Sequence, residues 1–304
     1  MPHERYKVVG LGELLWDLFP AGKQLGGAPA NFAYITSLLG DEGLPCSRLG
    51  PDELAAEAKR RLTELNLNTN FIQSDGTHPT GTVRVEVDDA GQPKFKISDF
   101  VAWDYLEWTP QWRELAASLD AVCFGSLAQR SEQSQATILK FVRATKPNAV
   151  RVFDVNLRQH FYSAQILSES IQLATIVKLN HEELPRIMQL LAPGDTFVDN
   201  ESSCRRLLNL YQPKLICLTR GDQGSLLVNA ETSRAHAGFR VKVADTVGSG
   251  DAFTAALVHE YLRGSSLDRM NEAANRVGAW VATQAGATPV SPPGGLEKTL
   301  AAIA

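Results

Sequence analysis

Asp245-Thr246-Val247-Gly248-Ser249-Gly250-Asp251 runs directly into Ala252-Phe253-Thr254-Ala255-Ala256-Leu257-Val258. The second half is apolar on nearly every side at helical spacing, which predicts a buried helix. The first half sets two glycines just ahead of it. Gly248 and Gly250 let the backbone turn tightly and aim successive N–H groups outward. The unpaired amides of the first helical turn, at the positive end of the helix dipole, then form an anion site around Gly248, Ser249, Gly250 and Asp251. A transferring phosphoryl group needs that kind of fixed, non-reacting stabilisation. Residues 240–243 predict a strand leading into the turn. Asp251 at its mouth reads in two ways. It is either a plain N-cap or a carboxylate placed to take a proton from a hydroxyl as the phosphoryl group arrives. A cap alone explains neither the paired glycines nor the all-round apolar helix, so the base is favoured.

Outward from this turn, short β-branched runs at 6–10, 121–125, 150–155, 176–179 and 215–219 alternate with helical patterns at 52–64, 133–143, 164–173 and 182–191. That alternation predicts an α/β fold, a mostly parallel sheet with helices on both faces. A further amphipathic helix is expected over 267–284. One segment breaks the rhythm. In 80–97, Val83, Val85 and Val87 alternate with Arg84, Glu86 and Asp88, then Asp89-Ala90-Gly91 reads as a turn and 94–97 alternates again. This predicts a half-exposed hairpin on a small accessory sheet, a lid rather than part of the parallel core.

The 304 residues carry 30 Lys and Arg against 34 Asp and Glu, a net charge of −4. An acidic chain without basic blocks argues against nucleic-acid binding. Cys46, Cys123, Cys204 and Cys217 lack metal or redox spacing and fit a reduced, cytoplasmic protein. No apolar run approaches membrane-spanning length, and 1–13 lacks a signal core. The six histidines show no metal-ligand spacing, and neither a P-loop nor a Gly-x-Gly-x-x-Gly after the first strand is present. The missing fingerprint argues against a dinucleotide-dependent oxidoreductase.

The 245–251 segment resembles the DTxGAGD signature of the ribokinase-like (PfkB) carbohydrate kinases, with Ser249 for the usual alanine. Gly26-Gly27-Ala28-Pro29-Ala30-Asn31 is similar to that family's GG-x-x-x-N loop, where glycines pass close to the sugar and the Asn bonds its hydroxyls. Asp17 matches the family's acidic sugar ligand. Asp154-Val155-Asn156-Leu157-Arg158 resembles a D-x-N-x-R strand end, with Arg158 facing phosphate or sugar. Asn180-His181-Glu182-Glu183 resembles the N-x-x-E motif, which helps hold Mg²⁺ through water. Thr219-Arg220-Gly221-Asp222-Gln223-Gly224 resembles a T-x-G-x-x-G nucleotide loop. Asn275 corresponds to an Asn near adenine; an ordinary solvated residue is the other reading. Asp245 and Thr246, with carbonyls near Gly286, correspond to a monovalent-cation site for K⁺; strand-end capping is the alternative.

The resemblance covers the whole chain and implies one ribokinase-like three-layer domain over 1–304. Its β lid would be built from about 13–24 and 80–105. It implies ATP as phosphoryl donor, Mg²⁺, Asp251 as base, and a sugar held by Asp17, Gly26, Gly27 and Asn31. GE-x-x-x-D followed by GGAPANFA points toward bacterial fructokinases and so to fructose 6-phosphate as product. Another acceptor such as 2-keto-3-deoxygluconate or ribose is the second reading. A nucleotide-binding regulator without catalysis is the third, disfavoured by the intact Asp251. One valine face of the hairpin is expected to point at the sugar or at a partner lid, and in the second case two lids pair in a homodimer.

Overall fold

A computed structural model describes residues 5–19, 22–87, 93–194, 199–290 and 295–303. In chain order the strands are β1 (Lys7–Leu11), β2 (Leu15–Phe19), β3 (Gly22–Gly26), β4 (Glu42–Leu49), β5 (Ile72–Ser74), β6 (Gly81–Val87), β7 (Pro93–Ile97), β8 (Ala121–Gly125), β9 (Val150–Asp154), β10 (Ile176–Asn180), β11 (Leu215–Thr219), β12 (Ser225–Val228) and β13 (Ser233–His236). The helices are α1 (Ala28–Leu38), α2 (Glu53–Glu64), α3 (Pro110–Ser118), α4 (Glu132–Arg143), α5 (Ala164–Leu173), α6 (Glu183–Leu191), α7 (Asn200–Tyr211), α8 (Ser249–Leu262), α9 (Leu267–Ala282) and α10 (Leu296–Ala301).

The large sheet has the order β13-β12-β11-β10-β9-β8-β1-β4-β5. It is parallel from β11 to β5, while β12 and β13 run antiparallel at one edge. Both faces are buried, and the period of two sorts the side chains between them. Val8, Cys123, Val152 and Cys217 pack with α1, α2, α8 and α9 on one face. Val9, Val122, Phe153 and Ile216 pack with α3 to α7 on the other. This is a three-layer α/β sandwich.

The smaller sheet runs β3-β2-β6-β7, with β2 and β6 parallel and the other pairs antiparallel. The two stretches 13–24 and 80–97 therefore meet, although 55 residues (25–79) separate them in the chain. The expected 89–91 turn lies outside the described residues. After Ile97 the chain leaves this sheet. Phe100 stands exposed at positive φ (54°), and Ala102–Tyr105 forms a 3₁₀ turn that buries Trp103 completely. Arg130 holds Asp104 there through Nε at 2.7 Å and Nη2 at 2.8 Å, so 102–105 is anchored to the core.

The strand expected at 240–243 is absent. The Val-Lys-Val alternation there finds no neighbouring strand. Instead, the next amides, Ala244 and Asp245, donate to the Ala282 carbonyl at the end of α9. A buried brace fixes the far end of α8. Asp41 accepts hydrogen bonds from Tyr6 N, His259 Nδ1 and Arg263 Nη2, at 3.1, 2.7 and 2.8 Å.

Candidate active site

The parallel strands β9, β10 and β11 end at Asp154, Asn180 and Thr219, on the side where open α/β sheets place their ligands. Gly248 caps α8 in a left-handed conformation (φ 76°), where a Cβ would collide with Ala287. Asp251 is consequently the third residue of the helix, not its cap, and no side chain caps this end. Ser249 turns its hydroxyl back onto the Thr246 carbonyl at 2.8 Å and braces the loop. Its own amide also goes to Thr246 O, at 3.2 Å. The Gly250 and Asp251 amides donate to no described group, which leaves them free to meet an anion.

Asp251 is half-buried and accepts a 2.8 Å hydrogen bond from Asn31 Nδ2, a partner 220 positions away. Asn31 sits in α1, which begins after Gly27 (φ 113°) with Pro29 in its first turn. Gly10 lets α1 lie close on β1, since a Cβ there would run into the Pro29 carbonyl. Burial pushes Asp251 up to about 6, with Asp154 adding to the rise. Asn31, Lys178 and Arg158 oppose it. A carboxylate of that pKa is mostly ionised at neutral pH yet basic enough to accept a proton.

Asp17 lies on β2 opposite Gln24 and Val83, inside the small sheet. A Cβ at Gly26 would strike its carboxylate, so the glycine keeps that carboxylate accessible. Burial raises Asp17 to about 6, against the pull of Arg158. Arg158 itself is exposed, and its Nη1 donates to the Leu157 carbonyl at 3.1 Å. Its charge acts on Asp17, Asp251 and Glu13 alike.

Glu183 behaves differently from a free first-turn carboxylate. It is 6% exposed, and its two oxygens accept from the Leu157 and Asn180 amides, both at 2.8 Å. Asn180 Oδ1 in turn accepts from the Glu182 and Glu183 amides at 2.9 Å. Thr219 pairs with Asn180 across β10 and β11, and Gly221 and Gly224 close a tight loop at positive φ. Asn275 is buried rather than solvated. Its Nδ2 donates to Ser225 Oγ at 2.7 Å and so meets the strand that follows Gly224. Asp245 joins the two halves of the expected cation loop, with Oδ1 accepting from Val247 N (3.0 Å) and Oδ2 from Gly286 N (3.1 Å). Thr246 contributes its carbonyl to Ser249 rather than to that junction.

Two groups, Lys178 and Glu13, had no role assigned from the sequence. Lys178 is a lysine inside the apolar strand Ile-Val-Lys-Leu-Asn, and that interruption was its signal. Its Nζ meets both Asp154 oxygens at 3.0 and 3.1 Å, and Thr254 donates to the same carboxylate at 3.2 Å. Burial alone would lower the Lys178 pKa, but Asp154, Glu183 and Asp251 hold it above the ordinary lysine value. A Cβ on Gly250 would stand 3.3 Å from Nζ, so a fixed positive charge sits against the first turn of α8. Glu13, just past β1, is 4% exposed and lines a small pocket with Asp154, Asn156 and Asp251. Burial pushes its carboxyl up to about 7. Its sequence signal was a charge directly after an apolar strand and Gly12.

The profile of the pfkB family carbohydrate kinases matches residues 16–293. A fructokinase of Escherichia coli is 30% identical over 94% of this chain and 96% of its own length. A fructokinase of Salmonella typhimurium is 30% identical over 83% of both. Among solved structures, an uncharacterised sugar kinase of Pyrococcus horikoshii in complex with ATP superposes with a TM-score of 0.78. It is 29% identical, and the match covers 92% of this chain and 94% of that one. A fructokinase of Vibrio cholerae, bound to fructose, ADP and calcium, shares the fold with a TM-score of 0.81 at 23% identity over 98% of each chain. The fold, the geometry of the α8 turn and these likenesses agree: the chain belongs to the pfkB family of carbohydrate kinases.

Proposed function

We propose that this kinase transfers the γ-phosphoryl group of ATP to a hydroxyl of a neutral sugar, D-fructose, giving fructose 6-phosphate and ADP. The observation that carries this reading is the Asn31–Asp251 contact beside two unbonded amides at the start of α8. It sets a proton acceptor next to an anion hole. Asp17, Gly26, Gly27 and Asn31 hold the sugar. Asp251 accepts the proton of the attacking hydroxyl as its oxygen bonds to phosphorus and ADP departs. The Gly248–Asp251 turn, backed by Lys178, and Arg158 stabilise the charge on the moving group.

Fructose is supported by the fructokinases at 30% identity and by the carboxylates of Glu13, Asp17 and Asp251, which disfavour an anionic acceptor such as 2-keto-3-deoxygluconate. Ribose is the remaining neutral alternative. The nucleotide lies against Asn180, Thr219, Gly221, Gly224 and Asn275. Mg²⁺ is consistent with the buried Glu183–Asn180 pair, which can reach it through water, and it supplies positive charge to the phosphates. The Asp245–Gly286 junction suits K⁺, with Thr246 at its rim. Open strand edges at β3 and β7 support lid-to-lid pairing in a homodimer. Four free, buried cysteines support a cytoplasmic setting, and no described helix is long and apolar enough to cross a membrane.

A coupled ADP-release assay with D-fructose, D-ribose and 2-keto-3-deoxygluconate tests the substrate. The highest kcat/KM is expected for fructose. A preference for the sugar acid would overturn the electrostatic argument.

A further inference from the structure

Glu13 Oε2 is buried, and no described group bonds it. A carboxyl oxygen in that position is costly unless something meets it, so it calls for a partner. The residue is only 4% exposed. It lines the small pocket that also holds Asp251 and Asp154, together with Phe32, Cys123 and Phe124. The backbone around it is equally constrained, because a Cβ at Gly27 would stand 2.5 Å from the Glu13 carbonyl. Asp17 belongs to the lid sheet, whereas Glu13 belongs to the end of β1 in the core. An acceptor lying between them would be read from both sides.

A carboxylate oxygen calls for a hydrogen-bond donor, which an anion does not offer, and Asp251 in the same pocket adds repulsion. A neutral hydroxyl fits, since it can donate to a carboxylate and accept from a carboxylic acid. We infer that Glu13 is a specificity-determining residue, whose carboxyl takes a second hydroxyl of the acceptor beside the one that Asp251 activates. The ligand class is then a polyol with neighbouring hydroxyls. This rests on the carbohydrate-acceptor reading above. The raised pKa of Glu13 adds a feature: the carboxyl changes between donor and acceptor near pH 7.

The test uses the full-length enzyme with D-fructose and a set of its monodeoxy analogues that retain the 6-hydroxyl. In the unmodified enzyme, loss of one particular hydroxyl should lower kcat/KM by about tenfold or more. In Glu13→Ala the same analogue should be used within about twofold of fructose. The ATP KM should stay unchanged, which a general loss of structure would not produce. Glu13→Gln, which keeps size and offers both donor and acceptor, should recover most of the fructose affinity. It should also flatten the fructose KM profile near pH 7, leaving the change near pH 6 that Asp17 and Asp251 produce. If every analogue suffers the same penalty with and without Glu13, the inference is wrong. If the unmodified enzyme phosphorylates no sugar at all, the kinase reading fails first, and that outcome is distinct.

Discussion

Asp251→Asn should make the protein more stable while nearly abolishing turnover. Its carboxyl has been raised by burial from 3.8 to about 6, so the folded state favours the protonated form. A rise of that size corresponds to about 3 kcal/mol. Asp251 keeps some contact with solvent, so about 1–3 kcal/mol is the range expected on neutralising it. The Asn amide retains an oxygen for Asn31 Nδ2 to donate to, so little packing is lost. For a chain of this length, about 1–3 kcal/mol becomes a Tm rise of about 2–6 °C. The folded pKa lies above the unfolded one, so the unmodified protein loses stability as pH rises from about 4 to about 6 and carries the full penalty above that. The advantage of the Asn variant should be complete at pH 7.5 and vanish near pH 4. Turnover should fall by about 10²–10⁴ for want of a proton acceptor. Differential scanning calorimetry at both pH values reads the first effect, and a coupled assay reads the second. A lower Tm at pH 7.5, or a gap that ignores pH, would refute the claim that this carboxylate is held under electrostatic strain for function.

The remaining predictions concern the lid and the brace. Asp17→Ala should raise the sugar KM by about tenfold or more, with the ATP KM nearly constant, because only the sugar loses a charged acceptor; equal effects on both substrates would make Asp17 structural. Sugar binding should slow amide exchange in β6 and β7 far more than ATP does, and unchanged exchange would mean that another segment closes over the sugar. Asp41→Ala should cost about 3–5 kcal/mol in urea denaturation, since it leaves Arg263 and His259 without their shared buried carboxylate; a cost below about 1 kcal/mol would show that the brace is dispensable.

Much of the architecture could be read from the chain because strand alternation and helical periodicity are local. Runs such as 121–125 and 215–219 became strands with those bounds, and the 80–87 alternation marked the accessory sheet. The failure at 240–243 has the same origin. Val-Lys-Val has strand periodicity, but periodicity does not show whether a neighbouring strand exists, and the following amides bond the end of a helix. The site was legible only where a residue carried its own signal. Gly248 and Gly250 announced the turn before α8. The Asn31–Asp251 bond, spanning 220 positions, is invisible to any local pattern. Lys178 gained its meaning when β10 paired with β9 and brought it to Asp154, a consequence of strand order rather than of composition. Glu13 stood in the GE-x-x-x-D pattern without a role of its own, because its burial comes from α1 and β8, which are distant in sequence.

The central claim is that Asp251 accepts a proton from a sugar hydroxyl while the start of α8 holds the moving phosphoryl group. Phosphorus NMR of ATP with D-fructose, run in parallel on the unmodified enzyme and Asp251→Asn, tests it most directly. The unmodified enzyme should convert the γ-phosphate signal into a sugar-phosphate signal at the 6-position, and the Asn variant should do so at least about 100-fold more slowly. Equal rates from the two proteins, or a γ-phosphate that goes only to inorganic phosphate, would contradict it.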